Sequence, residues 1–457
     1  MKMVQRVPMR EQPVDTRVKN FNEVPLGYSE DEAISEASRC LQCAKSPCAE
    51  QCPVKIDVKK FVKEIAEGKF KDAFFTLKES NPIPSIAGRV CPQENQCEGS
   101  CTLGRLNQPI NIGKLESFIG DWAMRNNVEE KMHIVEQPQK VAIIGSGPSG
   151  ISCAVDLRKH GYQVTIYEAL HKAGGVLQYG IPEFRLPKNI VDRELRYLEK
   201  MGVKIQLNRI VGQNISFKEI RDQYDAVYVG TGAGAPRFLR IPGEELNGLY
   251  SANEFLIRTN LMKAYKFPEE SDTPIIVGKR VAVIGAGNVA MDAARCAIRY
   301  GAETHLIYRR TSKEAPARKE ELEHALEEGL IFHELENPMK INGKDGWVDS
   351  MTIVKMSLGE PDDSGRRRPV PIEGSEFTEK FDTIIEAIGT SPNRLFLERA
   401  EGLNVNRWGG IQVDDSLQTN IKDVFAGGDS VSGGATVIQA LGEGRKVALS
   451  LHNFLSK

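Results

Sequence analysis

The chemistry-bearing residues of this chain are concentrated in three places. Seven of its nine cysteines fall between Cys40 and Cys101, and only Cys153 and Cys296 lie beyond. Their spacing is Cys40-x2-Cys43-x4-Cys48-x3-Cys52-Pro, then Cys91-Pro, Cys97 and Cys101. Thiolates at such intervals are soft metal ligands. The run is close to the ferredoxin-like C-x2-C-x2-C-x3-C-P pattern, in which the fourth cysteine serves the other cluster. Disulfides are disfavoured by the odd total and by a reducing compartment. A single all-thiolate zinc site takes four of the seven thiols and leaves three over. Two [4Fe–4S] clusters need eight ligands, so one must come from a group other than cysteine. Iron–sulfur is the favoured reading and zinc the alternative.

The other two places are glycine loops. VAIIGSGPSGISCAVDLRKHGYQVTIYE starts at Val141, and VAVIGAGNVAMDAARCAIRYGAETHLIYRR starts at Val281. Each follows a buried-type strand, opens a helix and ends on a second strand, the context that makes G-x-G-x-x-G a dinucleotide-binding fingerprint. In the first copy Gly145 allows the tight turn, Gly147 lets a pyrophosphate approach, and Gly150 lets the helix pack against the strand. Ser146 lies inside the same loop. The second strand ends at Glu168, whose carboxylate accepts from a ribose 2′-OH and repels a 2′-phosphate. This copy is expected to take FAD or NAD. The second copy has Gly285, Gly287, Asn288 and Val289, with Ala290 in the third glycine position. Its strand ends in Arg309-Arg310, two guanidiniums suited to a 2′-phosphate, so NADPH is expected there. Arg318 is a candidate third contact.

Near the C-terminus, AGGDS (Ala426–Ser430) places Gly428 and Asp429 at a strand end. A helix beginning at Thr436 follows, and its N-terminus would favour an anionic reduced flavin. Ala387 and Gly389 of EAIGTSPN, like VYVGTGA, read either as turns beneath the cofactors or as ordinary strand-to-loop turns. Cys153 and Cys296 read as core thiols, and no C-x-x-C dithiol accompanies either. His160, His171, His305, His324 and His333 show no metal-ligand spacing, and surface or packing roles are expected. Arg366–Arg368 after Asp362-Asp363 read as a solvated hairpin tip.

The elements that must hold these groups follow from periodicity. DEAISEASRCLQC, IDVKKFVKEIAEGKFKDAFFTLKES and INIGKLESFIGDWAMRN have apolar residues at helical spacing, whereas NPIPSIAGRVCPQENQCEGSC is turn-rich. From Lys140 the chain alternates strand, glycine turn and helix, the pattern of a parallel α/β domain. The expected architecture is α/β: a helical iron–sulfur domain over 1–137, an FAD domain formed by 138–271 and 391–457, and an NADPH domain inserted over 272–390. The length of 457 residues excludes a single small domain. Sixty Lys+Arg against 62 Asp+Glu argue against nucleic-acid and membrane-surface partners. With no apolar run long enough to span a bilayer and no apolar signal core at the N-terminus, a cytoplasmic protein is expected.

Together these motifs resemble the small (beta) subunit family of glutamate synthase, over essentially the whole chain. The module is also similar to the N-terminal half of dihydropyrimidine dehydrogenase. It is similar as well to the large subunit of NADH-dependent reduced ferredoxin:NADP oxidoreductase and to archaeal sulfide dehydrogenase alpha subunits. The resemblance implies that Cys40, Cys43, Cys48 and Cys101 hold one [4Fe–4S] cluster. Cys52, Cys91 and Cys97 hold the other, with Glu116 of GKLESF as the eighth ligand. In GGVLQYGIPEFRLP it implies FAD contacts at Gly175, Leu177 and Arg185, and it matches Arg309-Arg310 to NADPH.

The expected activity is hydride transfer between NADPH and FAD, with single electrons relayed through the clusters to a partner. No catalytic side chain is required for the hydride step. The expected partner is a second flavoprotein subunit. The first possibility is the glutamate synthase large subunit, giving glutamate from 2-oxoglutarate and glutamine. The alternative is a ferredoxin-reductase-like subunit of an electron-bifurcating transhydrogenase or a sulfide dehydrogenase, with ferredoxin as a further partner.

Overall fold

The computed structural model describes residues 5–130, 133–362 and 365–457. The cysteine-rich region is helical, but all its clustered cysteines except Cys48, which lies in the one-turn helix Pro47–Glu50, sit outside the helices. The helix Glu30–Ala37 starts from a capping box between Ser29 and Glu32, and it stops short of Cys40. Beyond it Gln42 (φ 51°) and Ser46 (φ 41°) adopt left-handed backbone that no helix accommodates, so RCLQC is a turn. The long periodic stretch splits at Gly68 (φ 71°) into Val58–Ala66 and Phe70–Ser80. The supposedly turn-rich NPIPSIAGRV instead contains the helix Pro84–Val90, with Pro84 in the first turn, where its missing N–H leaves no bond unmade.

One crossing matters for the site. A Cβ on Gly88 would lie 2.5 Å from Ser117 N, and one on Gly120 would lie 2.1 Å from Ser85 Oγ. Pro84–Val90 and Ile112–Arg125 therefore touch almost backbone to backbone, which brings Cys91 at the end of one helix toward Glu116 within the other.

Two five-stranded parallel sheets follow. The first runs Val424–Ala426, Ala226–Val229, Lys140–Ile144, Gln163–Tyr167, Lys204–Gln206. The second runs Leu249–Ser251, Thr383–Glu386, Arg280–Ile284, Glu303–Tyr308, Ile331–Glu334. Each has its glycine-loop strand at the centre, so the loop opens at the carboxyl ends of the strands, where such sheets bind ligands. The first sheet takes its edge strand from the end of the chain. The second takes its edge strand from Leu249–Ser251, ahead of residue 272, a three-residue strand too short to show any periodicity.

An antiparallel sheet, Glu336–Lys344, Trp347–Pro361, Arg367–Pro371 and Phe377–Lys380, packs beside the second parallel sheet. The helix Val437–Leu455 lies on Pro148–Lys159, where a Cβ on Gly444 would stand 2.2 Å from Ser149 O. Among the described residues no helix is long and apolar enough to cross a membrane.

Candidate functional site

The two glycine loops are built for close approach in a specific pattern. Gly145 has φ 105°, and a Cβ there would meet Gly230 O at 2.3 Å; one on Gly150 would meet Gly145 O at 2.2 Å. A Cβ on Gly147, by contrast, would meet nothing within 4 Å. The loop is closed toward the protein and open on the side where a pyrophosphate would lie, over the N-terminus of Pro148–Lys159. The second loop repeats this: Gly285 (φ 120°) is closed against Ala387 O at 2.4 Å, and Gly287 is open, its nearest neighbour Pro316 Cγ at 4.0 Å. Both loops fit a dinucleotide.

Glu168 is buried at the end of its strand. Its Oε2 accepts from Ser146 N at 3.1 Å and from Ser146 Oγ, while Oε1 accepts from Leu170 N at 2.8 Å. Gly174 N donates to Ser146 Oγ at 2.9 Å, so Ser146 ties the glycine loop to the following turn. A Cβ on Gly175 would approach Gly147 Cα to 2.9 Å, so the glycine at 175 is what lets this turn lie against the loop. Gly428 (φ 65°) donates to Glu443 Oε2 at 2.5 Å, a partner that sequence reasoning missed because Glu443 lies within a helix. Burial pushes the Asp429 carboxyl up, against one hydrogen bond from Ala435 N. Thr436 caps Val437–Leu455 in a capping box with Gln439. Leu177 is wholly buried, and its carbonyl accepts from Lys188 Nζ at 3.0 Å.

Of the four arginines named as cofactor contacts, three are held by protein groups and one is exposed. Arg185 is buried in ion pairs with Asp292 at 2.7 Å and Glu321 at 2.8 Å, so its guanidinium joins the two dinucleotide units. Arg318 is equally buried. It donates to Arg89 O at 3.0 Å, Gln93 Oε1 at 3.0 Å and Glu320 Oε2 at 2.7 Å, clamping the cysteine-rich domain to the second unit. Asn288 Oδ1 accepts from Arg318 N at 2.9 Å and closes that loop. Both arginines are spent on protein groups because buried guanidiniums need several fixed acceptors. Arg310 is also held, donating to Asp362 Oδ2 at 2.5 Å and Arg367 O at 2.7 Å, so the hairpin tip reaches the nucleotide edge instead of lying apart. Asp363 lies outside the described residues. Arg309 is exposed at the same strand end.

The register adds a detail. Ile284 pairs with Ile307 as Ile144 pairs with Tyr167, so the position of Glu168 is taken by Tyr308 and Arg309 lies one residue beyond. Val289, in the first turn of the helix Asn288–Arg299, is exposed, and a Cβ on Gly389 (φ 105°) would meet nothing within 4 Å.

The seven clustered cysteines form two sets. Cys40, Cys43, Cys48 and Cys101 line one cavity with Val58, Val62 and Ile112. Burial pushes the thiol of Cys40 up and that of Cys48 to about 11, and charges on neighbours within the set add to both. Cys52, Cys91, Cys97 and Glu116 form the second set. Burial raises all three thiols, and the Glu116 charge raises each further. Glu116 is itself pushed up to about 8 by burial, and its Oε1 accepts from Asn81 Nδ2 at 2.7 Å. Two sets of four soft or anionic donors, buried and otherwise costly to ionise, fit two iron–sulfur clusters whose positive irons would replace the protons. Cys153 and Cys296 are buried singly, far from such company. The second set lies against the first dinucleotide unit: Pro53 O, next to Cys52, is 3.2 Å from a Cβ placed on Gly442.

A helical iron–sulfur domain joined to two glycine-loop dinucleotide units defines an iron–sulfur flavoprotein oxidoreductase. The comparisons agree. Residues 17–128 match the family described as dihydropyrimidine dehydrogenase domain II, 4Fe-4S cluster, and residues 139–444 match the pyridine nucleotide-disulphide oxidoreductase family. The glutamate synthase [NADPH] small chain of Escherichia coli (strain K12) is 35% identical over 99% of this chain and 98% of its own length. The NADP(+)-dependent formate dehydrogenase subunit beta of Moorella thermoacetica is 37% identical over 90% of this chain, which spans 60% of that protein. Among solved structures, FprA from Mycobacterium tuberculosis in complex with NADPH superposes with a TM-score of 0.59 at 21% identity, covering 70% of this chain and 85% of FprA. That likeness concerns the fold. The chain belongs to the glutamate synthase small (beta) subunit family.

Proposed function

We propose that the chain is the NADPH-oxidising subunit of a glutamate synthase and passes electrons to a large subunit that makes glutamate from 2-oxoglutarate and glutamine. The observation that carries the reading is the asymmetry of the two loops, one beside a buried Glu168 and one beside the exposed Arg309, next to two four-ligand sets. In this reading residues 138–271 and 391–457 form the FAD unit and 272–390 most of the NADPH unit. Glu168 accepts from the ribose of the flavin nucleotide, and the helix N-terminus at Pro148 faces its pyrophosphate. Arg309 takes the 2′-phosphate of NADPH, with Arg310 held behind it by the hairpin. FAD, held at the first loop, would supply the hydride acceptor for NADPH, and two [4Fe–4S] clusters held by the two ligand sets would supply single-electron transfer. Cys52, Cys91, Cys97 and Glu116 would hold the cluster next to the FAD unit, and the less buried Cys40, Cys43, Cys48 and Cys101 would hold the one nearer the partner.

Anaerobic purification from the native host, with masses of what co-purifies, tests the partner. A large amidotransferase flavoprotein supports the reading. A small ferredoxin-reductase-like flavoprotein in its place makes the chain a transhydrogenase subunit and overturns the glutamate synthase assignment.

A further inference from the structure

The hydride chemistry does not use the far edge of the second parallel sheet, where three potential metal ligands converge. His305 lies on Glu303–Tyr308, His333 on Ile331–Glu334 and Glu379 on Phe377–Lys380. His305 pairs with Ile331 and His333 with Ile307, so the histidines are diagonal neighbours on one face. One donor atom from each of the three residues lies within 4.8 Å of the others. The sequence shows no such spacing, because pairing between strands creates it.

The groups around the imidazoles suit a cation. His305 Nδ1 stands 2.8 Å from His333 Nε2. The outer nitrogens both face carboxylates: His305 Nε2 is 2.8 Å from Glu303 Oε1, and His333 Nδ1 is 3.4 Å from Glu336 Oε2, a buried oxygen with no hydrogen-bond partner. A carboxylate accepts, so His305 Nε2 carries its proton and the Nδ1 lone pair faces His333. With His333 protonated on Nδ1, toward the unpartnered Glu336 oxygen, the two inner lone pairs converge on one point that a positive charge would fill. A shared proton would serve, and so would a metal ion.

The charges favour the metal. Glu303, Glu336 and Glu379 contribute three negative charges. Arg280, which donates to Glu303 at 2.7 Å and to Glu379 at 2.8 Å, contributes one positive charge. The remaining two negative charges are neutralised by one divalent ion, whereas a proton leaves one behind. Outer carboxylates on metal-ligating histidines are also the arrangement that fixes the tautomer and strengthens the ligand. His305 is buried against the edge of the Phe381 ring, while His333 and Glu379 stay partly open to solvent, which gives an ion access.

We propose that His305, His333 and Glu379 bind one divalent transition-metal ion. Two imidazoles and a carboxylate match Zn2+, with a fourth position left to water. The ion ties the strands carrying the histidines to the antiparallel sheet whose Asp362 holds Arg310. It is separate from both four-ligand sets.

The test uses the anaerobically purified full chain with its iron and flavin, washed with a mild chelator, incubated with ZnCl2 and desalted. Zinc, iron and flavin are measured per chain. The expected result is one zinc per chain more in the wild type than in His333→Ala or Glu379→Gln, with iron and flavin unchanged. In calorimetric titration, Glu303→Gln and Glu336→Gln, which act through the imidazoles, weaken zinc binding about 10- to 100-fold. Should His333→Ala lose iron or flavin through misfolding, Glu379→Gln and the two outer variants decide. Equal zinc uptake by wild type and Glu379→Gln overturns the proposal and leaves the histidines sharing a proton.

Discussion

Replacing Arg309 with alanine separates the two arginines that the sequence presents as a pair. Arg309 is exposed, and among the described residues it has no hydrogen bond or ion pair. Arg310 is buried, with Asp362 and the Arg367 carbonyl taking two of its donors. The free guanidinium is the one available to a 2′-phosphate. A hydrogen bond to a charged group contributes about 1.5–3 kcal/mol, and solvent screening at an exposed strand end favours the lower part of that range. At 1.4 kcal/mol per tenfold, Arg309→Ala should weaken NADPH binding about 10- to 30-fold. NADH has no phosphate there, so its binding should stay within about twofold, and the NADPH preference should fall with added salt. Arg310→Ala removes a partner of the hairpin, so its main effect should be a lower melting temperature. Anaerobic stopped-flow reduction of the flavin, with NADPH and NADH each at limiting concentration, measures the discrimination. If Arg309→Ala slows both cofactors equally, or if Arg310→Ala alone erases the preference, the two arginines do not divide the work in this way.

Three other outcomes follow from the same structure. Glu116→Ala should lose the iron of one cluster, about four of eight irons per chain, while the flavin remains; retention of all the iron with unchanged cluster spectra would show that another group is the eighth ligand. Gly150→Ala puts a methyl group 2.2 Å from Gly145 O, so the helix must shift at a cost of about 1–3 kcal/mol, and flavin content should fall with iron content unaffected. Acid stability should depend on Glu328, whose carboxylate takes Arg17, Arg295 and Arg299. Despite its burial, hydrogen bonds from Arg295 and Arg299 hold it at about 2, below the unfolded value of about 4.3. A depressed carboxylate stabilises the fold fully above about pH 4.3 and loses that contribution as pH falls toward 2, on the order of 3 kcal/mol. Glu328→Gln should therefore lower the melting temperature at pH 7 and flatten its decline below pH 5. An unchanged decline would mean that other carboxylates govern acid unfolding.

Much of this protein was legible in its sequence because the relevant signals are local. Seven clustered cysteines, two glycine loops in strand–turn–helix context and the terminal GGD segment each declare a backbone or ligand requirement within a few residues. The α/β class and the nested order follow from the same short-range patterns. The sequence was less informative where periodicity misleads. Cys40 and Cys43 sit on a turn because Gln42 and Ser46 take positive φ, which helical spacing does not reveal, and Pro84–Val90 is a helix despite its prolines.

What only tertiary structure decided concerns long side chains and pairings between distant strands. Arg185 and Arg318 are plausible cofactor contacts by position, yet burial obliges each guanidinium to collect acceptors from another domain: Asp292 and Glu321 for one, Arg89 O and Gln93 for the other. Those partners are set by packing, and no spacing rule foretells them. The convergence of His305, His333 and Glu379 likewise exists only once three strands are in register. The sequence determined which chemical groups this protein carries and the local frames that present them. The fold determined which charged groups remain free, because a buried charge must be paired while an exposed one can wait for a ligand.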